Sequence, residues 1–163
     1  MQRRTFLGLA LSGTAALALS GCGFRLRGFD APDTGPDELA LAGADSALAR
    51  RVAERLEAAG TRVHDQAPLV LNLGAERFSE RRLGRTSRGP REYELTLSAP
   101  FSVQRRADGA YRLDQQHLEV STRYTVSDDN LLAQEGLREE AHERLRREAT
   151  RQLLNRLRPL ADS

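Results

Sequence analysis

The pattern that most restricts the fold lies at Tyr93, Leu95, Leu97, Ala99, Phe101 and Val103, apolar residues at every second position, with Glu92, Glu94, Thr96, Ser98, Ser102 and Gln104 between them. Successive side chains of a strand point to opposite faces, so this run requires a strand with one buried and one wetter face. A helical bundle cannot use it, and neither can a parallel sheet covered on both sides. A second layer must cover the apolar face.

Helices that could form this layer stand on both sides in sequence. Leu48, Val52, Leu56 and Ala59 recur at spacings of three and four, which puts one apolar stripe along a helix. Asp45 or Ser46 can cap its start and Gly60 can end it. A second helix is expected from Asp128 or Asp129 to Leu157, stopped by Pro159. Its apolar face carries Leu131, Leu145, Ala149 and Leu153, while Arg138, Glu139, Glu140, Glu143, Arg147 and Glu148 supply charge. Leu39 to Leu41 is a short candidate strand, and Leu69, Leu71, Leu73 and Ala75 alternate as a second one. Asp108-Gly109 marks a hairpin turn after the long strand. The return strand has Tyr111 and Leu113 in one phase but Leu118, Val120, Tyr124 and Val126 in the other, which requires a bulge near Gln115. These elements predict an α+β fold, a two-layer α/β sandwich whose four-stranded, mostly antiparallel or mixed sheet is covered by two helices. At 163 residues the chain holds one such domain, expected at 38–158 with a short tail at 159–163.

The first 21 residues read as an export signal. Arg3 and Arg4 precede an uncharged, largely apolar run from Phe6 to Leu19, and then come Ser20, Gly21 and Cys22. At about 1.5 Å per residue that run extends roughly 21 Å, short of the roughly 30 Å a spanning helix must cross. Leu19-Ser20-Gly21-Cys22 resembles a bacterial lipobox, in which the cysteine thiol is diacylated, the signal is cut before it and the new amino group is acylated. Cys22 is the only cysteine, so an intramolecular disulfide is excluded. Two or three acyl chains anchor a protein durably without spanning the membrane. Gly23 in place of Asp resembles sorting signals for the outer membrane. Arg3-Arg4-Thr5-Phe6-Leu7 also resembles a twin-arginine motif, and the general secretory route suits it equally. Residues 22–37, rich in Asp, Gly and Pro towards their end, form an expected acylated tether.

Catalysis finds little support. His64, His117 and His142 are far apart in sequence and stand at no metal-ligand spacing. A chain without lysine cannot carry a phosphate loop ending in Lys-Ser or Lys-Thr, and no G-x-S-x-G elbow is present. Glu92 and Glu94 share a strand face, as two exposed carboxylates often do. No enzyme activity and no cofactor are expected. All 25 basic residues are arginine; the leader holds two of them and no acid, so the remaining arginines match the 23 acids in number. That balance argues against nucleic acid as a partner, because such binding needs a large positive excess on one face.

One segment is strongly basic. Arg77, Arg81, Arg82, Arg85, Arg88 and Arg91 face a single acid, Glu80, and Gly84, Gly89 and Pro90 mark a loop. Guanidinium forks bind phosphate oxygens bidentately, so the loop could hold a multiply phosphorylated ligand. A solvated hairpin loop in an arginine-rich chain accounts for the same residues.

Cys22-Gly23-Phe24-Arg25-Leu26-Arg27-Gly28 resembles the mature N-terminus of the LptE family of LPS-assembly lipoproteins. Arg91-Glu92-Tyr93-Glu94-Leu95, Asn130-Leu131-Leu132-Ala133 and Gln152-Leu153-Leu154-Asn155-Arg156-Leu157 are similar to family segments in the same order. The resemblance implies a lipoprotein that sits inside and plugs the outer-membrane β-barrel LPS-assembly protein LptD, assists its assembly, and serves lipopolysaccharide delivery to the outer leaflet. It implies lipidation at Cys22, membrane attachment through the acyl chains, a body facing the periplasm and the barrel interior, and contacts to lipid A phosphates from Arg85, Arg88, Arg82 and Arg91. At a second family contact, the start of the last helix, Gln134 stands where a cation is expected. A periplasmic adaptor lipoprotein of another envelope complex, without a lipid ligand, is the alternative.

Overall fold

The long alternating run forms the spine of the protein. In the computed structural model, which describes residues 35–84, 89–127 and 131–161, strand β5 spans Arg91–Arg105. Leu95, Leu97, Ala99, Phe101 and Val103 are each at most 3% exposed, so the alternation reads correctly as one buried face. The export signal, Cys22, the tether as far as residue 34 and the expected helix start at Asp128 or Asp129 lie outside the described residues.

In chain order the elements are β1 (Glu38–Gly43), α1 (Ala47–Ala58), β2 (Arg62–Val63), β3 (Leu69–Leu73), β4 (Arg77–Leu83), β5, β6 (Tyr111–Val126), α2 (Leu131–Leu157) and a 3-10 turn at Arg158–Leu160. The α+β, mixed-sheet architecture is as expected, but hydrogen bonding defines six strands where four were anticipated. The two additions are β2, only two residues long, and β4, which occupies what was read as the first part of the basic loop. β4 escapes sequence reading because its residues are mostly exposed and show no apolar alternation.

The sheet order is β2-β1-β3-β5-β4, with β6 on β5 as well. β3 pairs with residues 101–105 of β5 and β4 with residues 92–98, while β6 runs beside nearly all of β5. β3 and β4 therefore follow one another along the same edge of β5, as one line of chain interrupted at residues 74–76. The interruption faces Pro100, whose carbonyl accepts from the Gly74 N–H at 2.8 Å. A proline inside a central strand lacks a ladder donor. Here the missing donor points at the gap between β3 and β4, where no ladder partner stands. Gly74 is needed because a Cβ there would lie 2.7 Å from Pro100 Cγ.

Both helices cover the same sheet face. Leu48, Val52 and Leu56 of α1 and Leu145, Ala149, Leu153 and Leu157 of α2 join Leu39, Leu71, Leu73 and the buried side chains of β5 and β6 in one core. Ser46 caps α1, its hydroxyl accepting from the Ala49 N–H at 3.1 Å, and Gly60 follows the helix in the left-handed region. α2 ends at Leu157, and Pro159 lies in the turn that follows. The bulge is present: the β5–β6 register shifts between Phe101 and Gln104, and Gln115 has φ +44°. It lets Leu113 pack against the core although Leu118 and Val120 occupy the other phase.

Candidate functional site

The basic segment resolves into a hairpin. β4 and β5 pair from Arg77 opposite Ser98 to Leu83 opposite Glu92, so residues 77–83 belong to a strand and not to the loop expected over 77–91. Of the candidate contacts, Arg85 and Arg88 lie outside the described residues. Arg82 pairs opposite Tyr93, and Arg91 lies two residues before Tyr93 on the same strand face. Diagonal neighbours of this kind have Cβ atoms about 7–8 Å apart. The fold thus brings Arg82 and Arg91 together at the base of the loop. By the same alternation they share the sheet face of Phe78, Glu80 and Leu95, the face that α2 covers.

Beneath them a polar network joins β4, β6 and α2. The Tyr124 hydroxyl donates to Glu80 Oε2 at 2.7 Å, and Arg138 donates to both Glu80 oxygens at 3.1 and 3.3 Å. Burial would raise the Glu80 pKa, but the hydrogen bonds from Tyr124 and Arg138 outweigh it and hold the carboxyl below its ordinary value. Burial, then the bond to Glu80, raises that of Tyr124. Tyr124 also stacks on Tyr93 at 5.6 Å between ring centroids. Further along α2, the His142 ring packs at 4.3 Å from that of Phe78, and the Arg146 guanidinium lies 5.3 Å from the Phe78 centroid. Arg146 also bridges Glu76 and Glu143.

Sequence reasoning missed Glu80, Tyr124 and Arg138 as a unit. A signal was present: Arg138 lies seven residues from both Leu131 and Leu145, on the line of the apolar stripe, where a cation needs a partner. Gln134, at the second family contact, donates instead to the Ser127 carbonyl at 3.0 Å and ties the first turn of α2 to the end of β6. Glu94 bonds Arg81 at 2.6 Å, and Arg123 approaches Glu92 and Glu94 at 3.9 and 4.0 Å. These carboxylates neutralise arginines. Among the described residues no three His, Cys, Asp or Glu side chains gather as a metal site would require.

A family profile described as LptE, lipopolysaccharide-assembly, matches residues 26–157. No curated protein sequence matches. Among solved structures, the fold is similar to that of an uncharacterised lipoprotein B from Nitrosomonas europaea, at 16% identity and a TM-score of 0.68 over 86% of this chain and 94% of that one. A minor lipoprotein from Acinetobacter baumannii matches at 15% identity and a TM-score of 0.59, covering 76% and 91%. A rare lipoprotein B from Shewanella oneidensis matches at 24% identity and 0.50, covering 74% and 89%.

Proposed function

The chain belongs to the LptE lipopolysaccharide-assembly family, and from that premise we propose that it is an outer-membrane lipoprotein acting with the β-barrel LptD. On this reading residues 1–21 are removed, Cys22 is acylated, residues 22–37 tether the body at 38–158, and that body faces the periplasm and plugs the barrel it helps to assemble. It binds lipopolysaccharide without transforming it.

The observation that carries the proposal is the extent of the family match, which runs from just after the cysteine to the end of α2. The sheet supports a protein partner too. Among the described strands nothing pairs with the outer edge of β6, a strand of 16 residues. An edge that long invites association with other strands unless something covers it, and the interior of a barrel would do so.

The ligand role falls to the hairpin loop. Arg85 and Arg88 lie in sequence between Arg82 and Arg91, and several guanidinium forks in one segment can engage both phosphates of lipid A. Replacing Arg85 and Arg88 together by Glu should weaken lipopolysaccharide binding at least about tenfold, roughly 1.4 kcal/mol. The loss should shrink at high salt, because exposed charges are screened within about 8 Å at physiological ionic strength. Co-purification with the barrel should be nearly unchanged. Unaltered lipopolysaccharide affinity together with loss of the barrel would make the loop a protein-docking element and favour the adaptor reading.

A further inference from the structure

We propose that the groove between α1 and the C-terminal half of α2 is a binding site for a ligand that carries phosphate groups, separate from the hairpin loop. The groove has a volume of about 650 Å³; five of its eight lining residues are arginine and none is acidic. Arg51 and Arg55 come from α1, Arg147 and Arg151 from α2, and Arg158 from the turn that follows.

At several other places on this protein an arginine pairs with an acid. Arg144 bonds Glu140, Arg81 bonds Glu94, and Arg138 bonds Glu80. In the groove the spacing brings like charges together instead. Arg51 and Arg55 are four residues apart on one helix, Arg147 and Arg151 four apart on the other, and such pairs repel. Two carboxylates at the rim offset part of this charge, Glu143 against Arg51 and Glu148 against Arg151. Among the described residues neither Arg55 nor Arg147 forms a salt bridge, although the Glu143 charge acts on Arg147 as well as on Arg51.

Helix C-termini attract cations, which accounts for Arg55 in the last turn of α1. It does not account for Arg147, ten residues before the end of α2, because the effect fades within one turn. The floor is suited to a bound anion. Thr150 and Leu154 are 4% and 8% exposed, so charge held above them is less screened than on open surface. Asn155 adds an amide donor at the rim. Planar guanidinium groups arriving from two helices match the tetrahedral spread of phosphate oxygens better than a row of point charges would.

The groove is remote from the loop. The loop emerges where β5 begins and α2 starts, whereas Arg147 lies 16 residues along α2, about 24 Å further at 1.5 Å per residue. The proposal therefore stands whether or not the loop binds lipopolysaccharide.

The test uses the full acylated chain in a non-ionic detergent at about 0.15 M salt, with binding followed by native mass spectrometry. One arm titrates inorganic pyrophosphate, the other dioleoyl phosphatidic acid in mixed micelles. Binding in the first arm alone identifies a soluble phosphate ligand, and binding in the second alone a lipid headgroup. In whichever arm binds, Arg55→Glu with Arg147→Glu should weaken affinity at least tenfold. Arg77→Glu with Arg112→Glu changes the net charge equally at exposed sites away from the groove and should cost less than twofold. A milder pair, Arg55→Gln with Arg147→Gln, covers the case in which charge reversal disturbs the helices, and should cost at least threefold. Absence of binding in both arms, or equal losses in groove and control variants, would overturn the proposal.

Discussion

The ion pair between Glu76 and Arg146 permits the most direct energetic test of how the sheet and α2 hold together. Glu76 lies in the interruption between β3 and β4, and Arg146 reaches it from the middle of α2. Their side chains are 12% and 15% exposed. Arg146 Nε stands 3.2 and 3.4 Å from the two Glu76 oxygens, and its Nη1 bonds Glu143 at 2.7 Å. At about 3.5 Å and an effective dielectric of about 20 the Glu76 attraction is roughly 4–5 kcal/mol before desolvation is subtracted. Removing one partner of a buried pair costs about 3–5 kcal/mol, mostly because the other charge is stranded. Residual exposure, and the fact that Glu143 remains beside Arg146, reduce the figure for Glu76→Gln to about 1.5–2.5 kcal/mol. Arg146→Met should cost about 2–3 kcal/mol, since it strands Glu76 and also loses the contact with Phe78. The double variant strands no charge across this pair, so it should be more stable than the sum of the single effects by about 1.5–2.5 kcal/mol. Urea unfolding followed by far-UV circular dichroism measures all three. A coupling below about 0.5 kcal/mol, the value of an exposed surface pair, would refute the view that this bridge joins the layers.

Gly43→Ala should destabilise by more than about 2 kcal/mol, because φ is +110° there and the new Cβ would lie 2.2 Å from the Leu73 carbonyl oxygen; a urea midpoint unchanged from the parent would contradict this. Acid should weaken the fold through Glu143, held below its ordinary pKa by the Arg146 hydrogen bond against opposing burial, and through Glu80. Carboxyls with depressed folded values stabilise above their unfolded pKa, about 4.3, and lose that contribution as pH falls through the folded value, so urea midpoints should drop below about pH 4 and less steeply in Arg146→Met. Cys22→Ala should abolish metabolic labelling by a fatty-acid analogue, and retained label would exclude Cys22 as the acceptor. A chain starting at Gly23 should stay soluble with mixed helix and strand by circular dichroism, since acylation supplies membrane affinity and no core.

How far the sequence carries depends on which interaction fixes each element. The spine strand, both helices and the bulge are legible because apolar side chains at a fixed period face one core, and the change of phase between Leu113 and Leu118 leaves a single place for the extra residue. β4 is not legible because its pairing is set by the strand beside it. Its seven residues carry three arginines and a glutamate, and their partners Glu94, Tyr124 and Arg138 lie 13 to 58 residues away in sequence. Backbone ladders accept almost any side chain along a polar edge, so composition there points to a loop while geometry builds a strand. The same limit hides the groove. Arg51, Arg55, Arg147 and Arg151 look like ordinary solvated positions until the helices pack side by side, because a charge cluster made from two elements has no sequence motif.

The packing of α2 gives two of its arginines, Arg138 and Arg146, a structural role. Along its middle the helix meets β4, whose Glu80 and neighbouring Glu76 take Arg138 and Arg146 in turn. Those pairs neutralise cations where the helix meets the sheet, Arg146 largely buried and Arg138 exposed at the edge. On the side of α2 that meets α1, the neighbouring helix is itself edged with Arg51 and Arg55. In sequence, Arg82, Arg85, Arg88 and Arg91 follow Glu80, the last acid of β4, with no acid among them. With 23 arginines and 23 acids among residues 22–163, the fold can still leave a local excess of arginine, because Glu76 and Glu80 are already engaged by Arg146 and Arg138. Removing the Glu76 carboxylate by Glu76→Gln should therefore lower stability while leaving the anion binding proposed for the groove intact, which separates the structural arginines from those proposed to meet a ligand.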